Sequence, residues 1–577
     1  MDDVDAVHAQ IARNMLSGGD WVIAHLDGVP YMEKAPLLYW LIAAVFRVLG
    51  EHDWVARLPI AFGAILLCWV TSRFGRWAFG EPAGMYAGLS LATCAGLFLF
   101  TRVLIPDVLL TLCVCLAMWS FLRALEEDEP RPGRWAALLA ASLGVGLLFK
   151  GLIALAAPVG GALAYLAATR QLSSRRAWRR LHLIRGALLV LVIAAPWHIL
   201  ATLRMPPAFD FTMHSGPGEY HGFFWFYFIN EHVLRFLNLR YPRDYNTVPR
   251  ITFWLLHLLW LFPWSAYFPA VAALRYRPVD RAGRTRLLAL CWTGFLLLFF
   301  TFSTTQEYYS MPVYPALALL LGSAMAGGSN SLRAGTRVLG GISALAAGAI
   351  AVILFLVRGL PAPGDISAAL QQHPEAYTLA LGHMGDLTIR SFAYLRGPLL
   401  LAGLAFLVGA AGALRLSGKR AFLAIAVMMT LFLHAARAAQ VVFDPYLSSR
   451  ILARALLKSP EGRLIVDGAY YPFSSVFFYA NRTALLLNGH RYNLEYGSYA
   501  PGAPPVFIGD AEFVRLWTSP ERLYLVTDGT QMAKLESLVG RVRLSKVAEG
   551  GGKSLFTNDA AGAAPGGSAA RTEGSAR

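Results

Sequence analysis

The chain has 577 residues, 56% of them hydrophobic and only 15% charged. Soluble domains run at about 45–50% apolar and about 25% charged. With a mean hydropathy of +0.49, this composition excludes a soluble globular enzyme, a disordered chain and a nucleic-acid module, and leaves a polytopic membrane protein. The net charge of +16 fits the arginine-rich inner loops of such a protein. The five cysteines, Cys68, Cys94, Cys113, Cys115 and Cys291, all sit in apolar runs without metal-site or disulfide spacing, and read as small buried hydrophobes.

The chain opens on an acidic segment, MDDVDAVHAQIARNML, with Val7, Ile11 and Met15 at helical spacing and Asp5 and His8 three apart on one helix face. A short apolar stretch at 35–50 suits a helix lying in the membrane interface. Runs long enough to span follow at roughly 57–75, 82–100, 107–125, 134–149, 151–169, 186–203, 251–274, 287–303, 313–328, 338–357, 397–414 and 421–439. The expectation is therefore about 12 spans.

Basic loops follow the first, fifth, seventh, ninth and eleventh of these runs, for example Arg175, Arg176, Arg179 and Arg180 after the fifth. If the spans alternate, all of these loops share one side, the cytoplasm. The N-terminus, the loops near 101–106, 204–250, 304–312 and 358–396, and everything after about 440 then lie on the other side. The acidic stretch at 126–134 departs from the pattern, but acids weigh little in it. Residues 1–439 are expected to form the transmembrane domain, with a first outer loop at 1–56. The pattern at 440–557 predicts a small extracytoplasmic α/β domain, and the Gly/Ala/Ser-rich end at 558–577 reads as a disordered tail.

The helix interiors carry almost no charge, which argues against an ion-coupled transporter. The ionisable residues gather instead at the outer helix ends. They are Asp2, Asp3, Asp5 and His8; Tyr31, Glu33 and Lys34; Arg102 and Asp107; Lys150; His214, His221, Glu231, His232 and Arg235; and Gln306, Glu307, Tyr308 and Tyr309. Lys150, in an outer turn, runs against the inner bias of basic residues. Glu231 and His232 are adjacent on a helix and face different ways, so between them they supply at most one metal ligand. Six polar clusters on one face of a membrane have no purpose in a scaffold, and they mark an active site at the outer interface.

The segment ARNMLSGGDWVIAHLDGVPYMEKAPLLYW resembles the first outer loop of bacterial integral-membrane glycosyltransferases of the protein O-mannosyltransferase-like family, which includes the lipid A aminoarabinose transferases. RVLIPD, FKG, EHVLRF and YYSMPVYPALALLLG continue the resemblance in order, over about residues 1–330. It implies a GT-C fold in a bacterial inner membrane. The implied activity moves a sugar from a polyprenyl-phosphate donor to an extracytoplasmic acceptor, such as lipid A, another glycolipid, a glycan or a protein, usually with inversion. Nucleic acid has no part in it.

Tyr31, Glu33 and Lys34 match the family's Tyr–x–Glu–Lys segment, Asp107 its second acid, and Lys150 a family lysine. The family's Asp–Glu pair in this loop falls on Val4 and Asp5, so Asp3 or Asp5 stands in for the catalytic acid, and His8 replaces a family tyrosine. The family also places a span before this loop, which would make about 13 in an intact protein.

On this reading Asp3, Asp5 and Asp107 are catalytic, as base or as holders of a divalent cation. Lys34, Arg102 and Lys150 bind the donor phosphate and stabilise the leaving group. His8, Tyr31, Gln306, Tyr308 and Tyr309 line the substrate pocket, and Glu33, His214 and His232 are the candidate metal ligands. A transporter or flippase of lipid-linked sugars is the alternative; it would call for repeats or broken helices.

Overall fold

The computed structural model of the chain describes residues 1–243, 248–303, 306–371 and 381–559. The tail expected at 558–577 lies outside the described residues from 560 onward.

The first element, α1 (Asp3–Gly18), starts where the Asp2 side chain accepts a hydrogen bond from Asp5 N at 2.9 Å, a side-chain N-cap. It ends at Gly19, whose φ of +73° suits glycine. A hairpin follows, β1 (Ala24–Leu26) with β2 (Val29–Tyr31), and then the short apolar helix α2 (Leu37–Leu49).

Among the described residues nine helices are long and apolar enough to cross a membrane. They account for nine of the 12 expected runs. The other three differ in a way that hydropathy does not encode. The run at 82–100 is broken into Glu81–Ala92 and Ala95–Phe100. The run at 151–169 forms a shorter helix, Ile153–Ala168. The run at 251–274 bends by 96° between Arg250–Trp260 and Trp264–Ala272.

Two of the spans position the site. Helix α3 (Asp107–Leu125) begins after Pro106 with an acid in its first turn, and α4 (Pro132–Lys150) begins with proline and ends with a lysine. They run antiparallel through a short connection, so the start of α3 and the end of α4 lie at the same membrane face. Gly151, at φ +67°, ends α4, and a Cβ there would run into His232. At the opposite end Arg284 pairs with Glu126 at 2.7 Å, and Arg123 pairs with Glu129.

After the last span the chain builds a six-stranded sheet in the order β5-β4-β3-β6-β8-β7, where β3 is Arg463–Asp467, β4 Ala484–Leu487, β5 Phe507–Ile508, β6 Leu523–Asp528, β7 Ser545–Gly550 and β8 Lys553–Thr557. The four strands from β5 to β6 are parallel, and β8 and β7 add on antiparallel. Side chains alternate across the sheet. Ile465, Leu485 and Leu525 pack on Phe513, Trp517 and Leu535 on one face.

On the other face Leu464, Val466 and Val526 share one core with Leu452, Leu456, Phe473 and Phe477 of the same domain and with Val7, Ile11 and Met15 of α1. Ala6, Ala9 and Ala12, on the reverse side of α1, join the transmembrane core. Helix α1 thus contributes to the core of the sheet domain on one side and to that of the membrane helices on the other. Burying each of its larger apolar side chains contributes about 1.5–3 kcal/mol.

Candidate active site

Lys150 closes α4 directly beside the start of α3, and its Nζ lies 2.5 Å from Asp107 Oδ1. Asp107 is 1% exposed, and its second oxygen, Oδ2, accepts no hydrogen bond from the described residues. The Lys150 ammonium also stands 4.9 Å from the ring centres of both Tyr308 and Tyr309, a double cation–π contact.

The segment after β2 brings a second ion pair to the same place. Glu33 is buried; it accepts a hydrogen bond from Tyr31 Oη at 2.8 Å through one oxygen and pairs with Lys34 through the other. Burial alone would push its carboxyl up. Lys34, Arg240 and Arg235 more than offset that and hold it well below the usual carboxylate range.

A third pair comes from the π-helix Trp225–Leu234, a wide-turn geometry that recurs at functional sites. Arg235, just past its end, bonds Glu231 at 2.7 Å and lies 3.9 Å from Glu33, while the buried Arg240 pairs with Glu231 from the other side.

These pairs face a cavity of about 460 Å³. Its charged lining is three acids, Glu33, Asp107 and Glu231, and three bases, Lys34, Lys150 and Arg235, and its apolar lining includes Leu110, Ile153, Phe236, Leu237, Phe299 and Phe300. Next to Phe299 and Phe300 in the chain, Leu298 and Phe302 are exposed.

A family profile described as "Dolichyl-phosphate-mannose-protein mannosyltransferase" matches residues 33–200, which carry Glu33, Lys34, Asp107 and Lys150. The chain is 27% identical over 529 residues to the undecaprenyl phosphate-α-4-amino-4-deoxy-L-arabinose arabinosyl transferase of Erwinia tasmaniensis, covering 89% of this chain and 86% of that one. It is 31% identical over 325 residues to the Aeromonas salmonicida protein of the same name, a match that spans 54% of either chain. Its fold superimposes on ArnT from Cupriavidus metallidurans, solved with undecaprenyl phosphate bound, with a TM-score of 0.76 and 23% identity, covering 97% of this chain and 94% of that one.

The chain has the fold of ArnT, and residues 33–200 match the dolichyl-phosphate-mannose-protein mannosyltransferase profile. It is a multi-pass membrane protein with a small sheet domain after the spans.

In this fold, Lys34, Lys150, Asp107, Glu33, Tyr308 and Tyr309 line the cavity, as do His232 and Arg235. Several other expected site residues do not. The Asp3 carboxylate is taken up by Ser475 N at 2.8 Å, Ser449 Oγ at 3.2 Å and Lys553 Nζ at 2.5 Å, all from the part of the chain after the spans. Asp5 accepts Leu104 N at 2.6 Å and pairs with Arg57, so it braces the loop that leads into Asp107. Burial, with the like charge of Asp2 beside it, pushes the Asp5 carboxyl up to about 7.

Arg102 lies 4.6 Å over the ring of Phe98 and does not line the cavity. His8 stacks on Tyr39, with Nδ1 3.3 Å from its hydroxyl, and burial next to Lys34 holds the ring down at about 4 and therefore neutral. Tyr31 stands behind Glu33, and Gln306 opens the turn before Tyr308 without lining the cavity.

The expected metal ligands do not converge. With its proton on Nδ1, His232 donates to Tyr227 O at 2.6 Å and accepts Leu152 N–H on Nε2 at 3.0 Å, so both ring nitrogens are committed. His214 is exposed in the loop before Gly222. Glu33 is already paired with Lys34. No group of three His, Cys, Asp or Glu side chains among the described residues is placed to hold a metal ion. The residue that sequence reasoning left without a role is Arg235; its helical spacing from Glu231 was visible, but its place in the cavity depends on the fold.

Proposed function

We propose that the cavity binds a polyprenyl-phosphate sugar and that the enzyme transfers the sugar to an extracytoplasmic acceptor, such as lipid A, another glycolipid or a protein, at the outer face of a bacterial inner membrane. One observation carries this reading: three cations, Lys34, Lys150 and Arg235, line the same cavity as the apolar Ile153, Phe236 and Phe299. The arginine-rich helix ends opposite Asp107 and Lys150 support the outward placement of the site. The names of the relatives make undecaprenyl phosphate-α-4-amino-4-deoxy-L-arabinose the first donor to test.

In this mechanism the phosphate lies among Lys34, Lys150 and Arg235, with the prenyl chain along Ile153, Phe236 and Phe299. The acceptor hydroxyl attacks the anomeric carbon from the face opposite the phosphate. Its proton passes to Asp107 Oδ2, the oxygen left without a hydrogen bond. The bond from the anomeric carbon to the phosphate oxygen breaks, and its electron pair leaves with the phosphate. The three cations stabilise that charge as it develops. The product keeps the sugar with inverted configuration. The sugar faces Tyr308 and Tyr309, which also hold the Lys150 ammonium in place.

The test is transfer by the purified full chain, from radiolabelled undecaprenyl-phosphate sugars to a membrane lipid extract. Label moving to a new lipid or polymer in the wild type and not in Asp107→Asn is the expected result. Label that never leaves any donor would overturn the transferase reading.

A further inference from the structure

One side chain of the sheet domain, Tyr471, is hydrogen-bonded into the cavity wall. Tyr471 follows β3, and its hydroxyl donates to Tyr31 Oη at 3.1 Å. Tyr31, at the end of β2, donates in turn to Glu33 Oε2 at 2.8 Å. The other oxygen of Glu33 holds Lys34.

The direction of this chain follows from proton counting. Tyr31 has one hydroxyl proton, and it is spent on Glu33. Its lone pairs therefore need a donor, and Tyr471 supplies it. Each bond polarises the next, so the Glu33 carboxylate is fixed at both oxygens and Lys34 is held at one position on the cavity wall. Tyr31 is 3% exposed, and water has little access to replace a lost partner.

We propose that Tyr471 is a positioning residue for donor binding, acting through Tyr31 and Glu33 on Lys34, so that the sheet domain is part of the phosphate site. The proposal rests on the reading of the cavity as a polyprenyl-phosphate site. Tyr471 touches neither donor nor acceptor, and the effect of its loss falls on donor affinity.

The experiment uses the full-length protein and sugar-free undecaprenyl phosphate as the binding probe, with steady-state transfer measured in parallel. Tyr471→Phe keeps the ring and removes the hydroxyl that donates to Tyr31. It is expected to bind the probe about five- to tenfold more weakly. The KM for the sugar donor should rise by a similar factor, with kcat and the acceptor KM changed by less than about twofold. The melting temperature should stay at the wild-type value. Tyr31→Phe should show the same split, and the double variant should bind no worse than Tyr31→Phe alone, since both break one chain.

Wild-type affinity in Tyr471→Phe, while Lys34→Gln weakens binding, overturns the positioning role and leaves the donor site standing. Additive losses in the double variant also overturn it. A wild type that does not bind the probe overturns the donor-site reading and the positioning role together.

Discussion

The Lys150 ammonium and the Asp107 carboxylate meet at 2.5 Å where two antiparallel spans end side by side, and only one of the two aspartate oxygens is engaged. The pairing divides the labour within one carboxylate: Oδ1 is anchored and Oδ2 is available to a proton. Asp107→Asn keeps the shape and removes the base. Its kcat for transfer should fall by about 10²–10⁴-fold, with the protein still present in the membrane at its normal level. Asp5→Asn, one loop removed from the cavity, should cost less. A rate in Asp107→Asn equal to wild type would remove Asp107 from the mechanism.

Donor binding should depend on the cations more than on the acids. Lys34→Gln and Arg235→Gln each remove a charge-assisted contact to phosphate and leave Glu33 or Glu231 with one partner fewer. Each should raise the donor KM by at least about tenfold, a loss of about 1.4 kcal/mol or more. Donor titrations at fixed acceptor measure it, and a change confined to the acceptor KM would contradict the placement of the phosphate.

Asp27 gives a pH-dependent prediction. It lies in the β1–β2 turn at φ +52°, where asparagine is tolerated, and accepts Ala484 N at 3.0 Å. Burial pushes its carboxyl up to about 7. Its pKa in the unfolded chain is about 3.9, so the folded state retains the proton between roughly pH 4 and pH 7. Stability therefore falls as pH rises through that window, and the cost is complete above it. Asp27→Asn keeps the acceptor and removes the charge. It should raise the melting temperature at pH 8 and leave it nearly unchanged at pH 4, with a gain at the upper pH on the order of 3 kcal/mol. Equal shifts at both pH values would mean that Asp27 is ionised in the folded protein throughout.

Lys553 and Asp3 hold the sheet domain to α1. Lys553→Met leaves a buried carboxylate with two neutral donors and should destabilise the protein by about 3–5 kcal/mol. Removing the charge as well, in Asp3→Asn/Lys553→Met, should recover most of that loss. Thermal melts and limited proteolysis of the sheet domain in the two variants measure it; a double variant no better than the single would show that the pair is not what holds the domain.

Asp107 and Lys150 were legible in the sequence because helix ends are legible. One acid opens a span, one lysine closes the next, and antiparallel neighbours must bring those ends together. The strands of the sheet domain were legible for the same local reason, through short alternating apolar runs. Asp3 and Asp5 were visible as acids, but their partners, Lys553 and Ser475 for one and Arg57 and Leu104 for the other, are supplied by distant segments that no spacing rule connects. Helix α1 displays Val7, Ile11 and Met15 at helical spacing, yet nothing local says that its alanine side meets the membrane helices and its larger side meets the sheet. The break after Ala92 and the bend before Trp264 were hidden because hydropathy counts apolar residues without regard to whether their helix runs straight.

Asp3 lies 550 residues before Lys553 in the sequence. A nascent chain inserts its spans one after another while its first helix waits without a second face to rest on. That face is complete only when the last strands have been synthesised. Tyr471 and the strands around it arrive just as late. Until then α1 packs through its alanine side alone, and Tyr31 is without the hydroxyl of Tyr471.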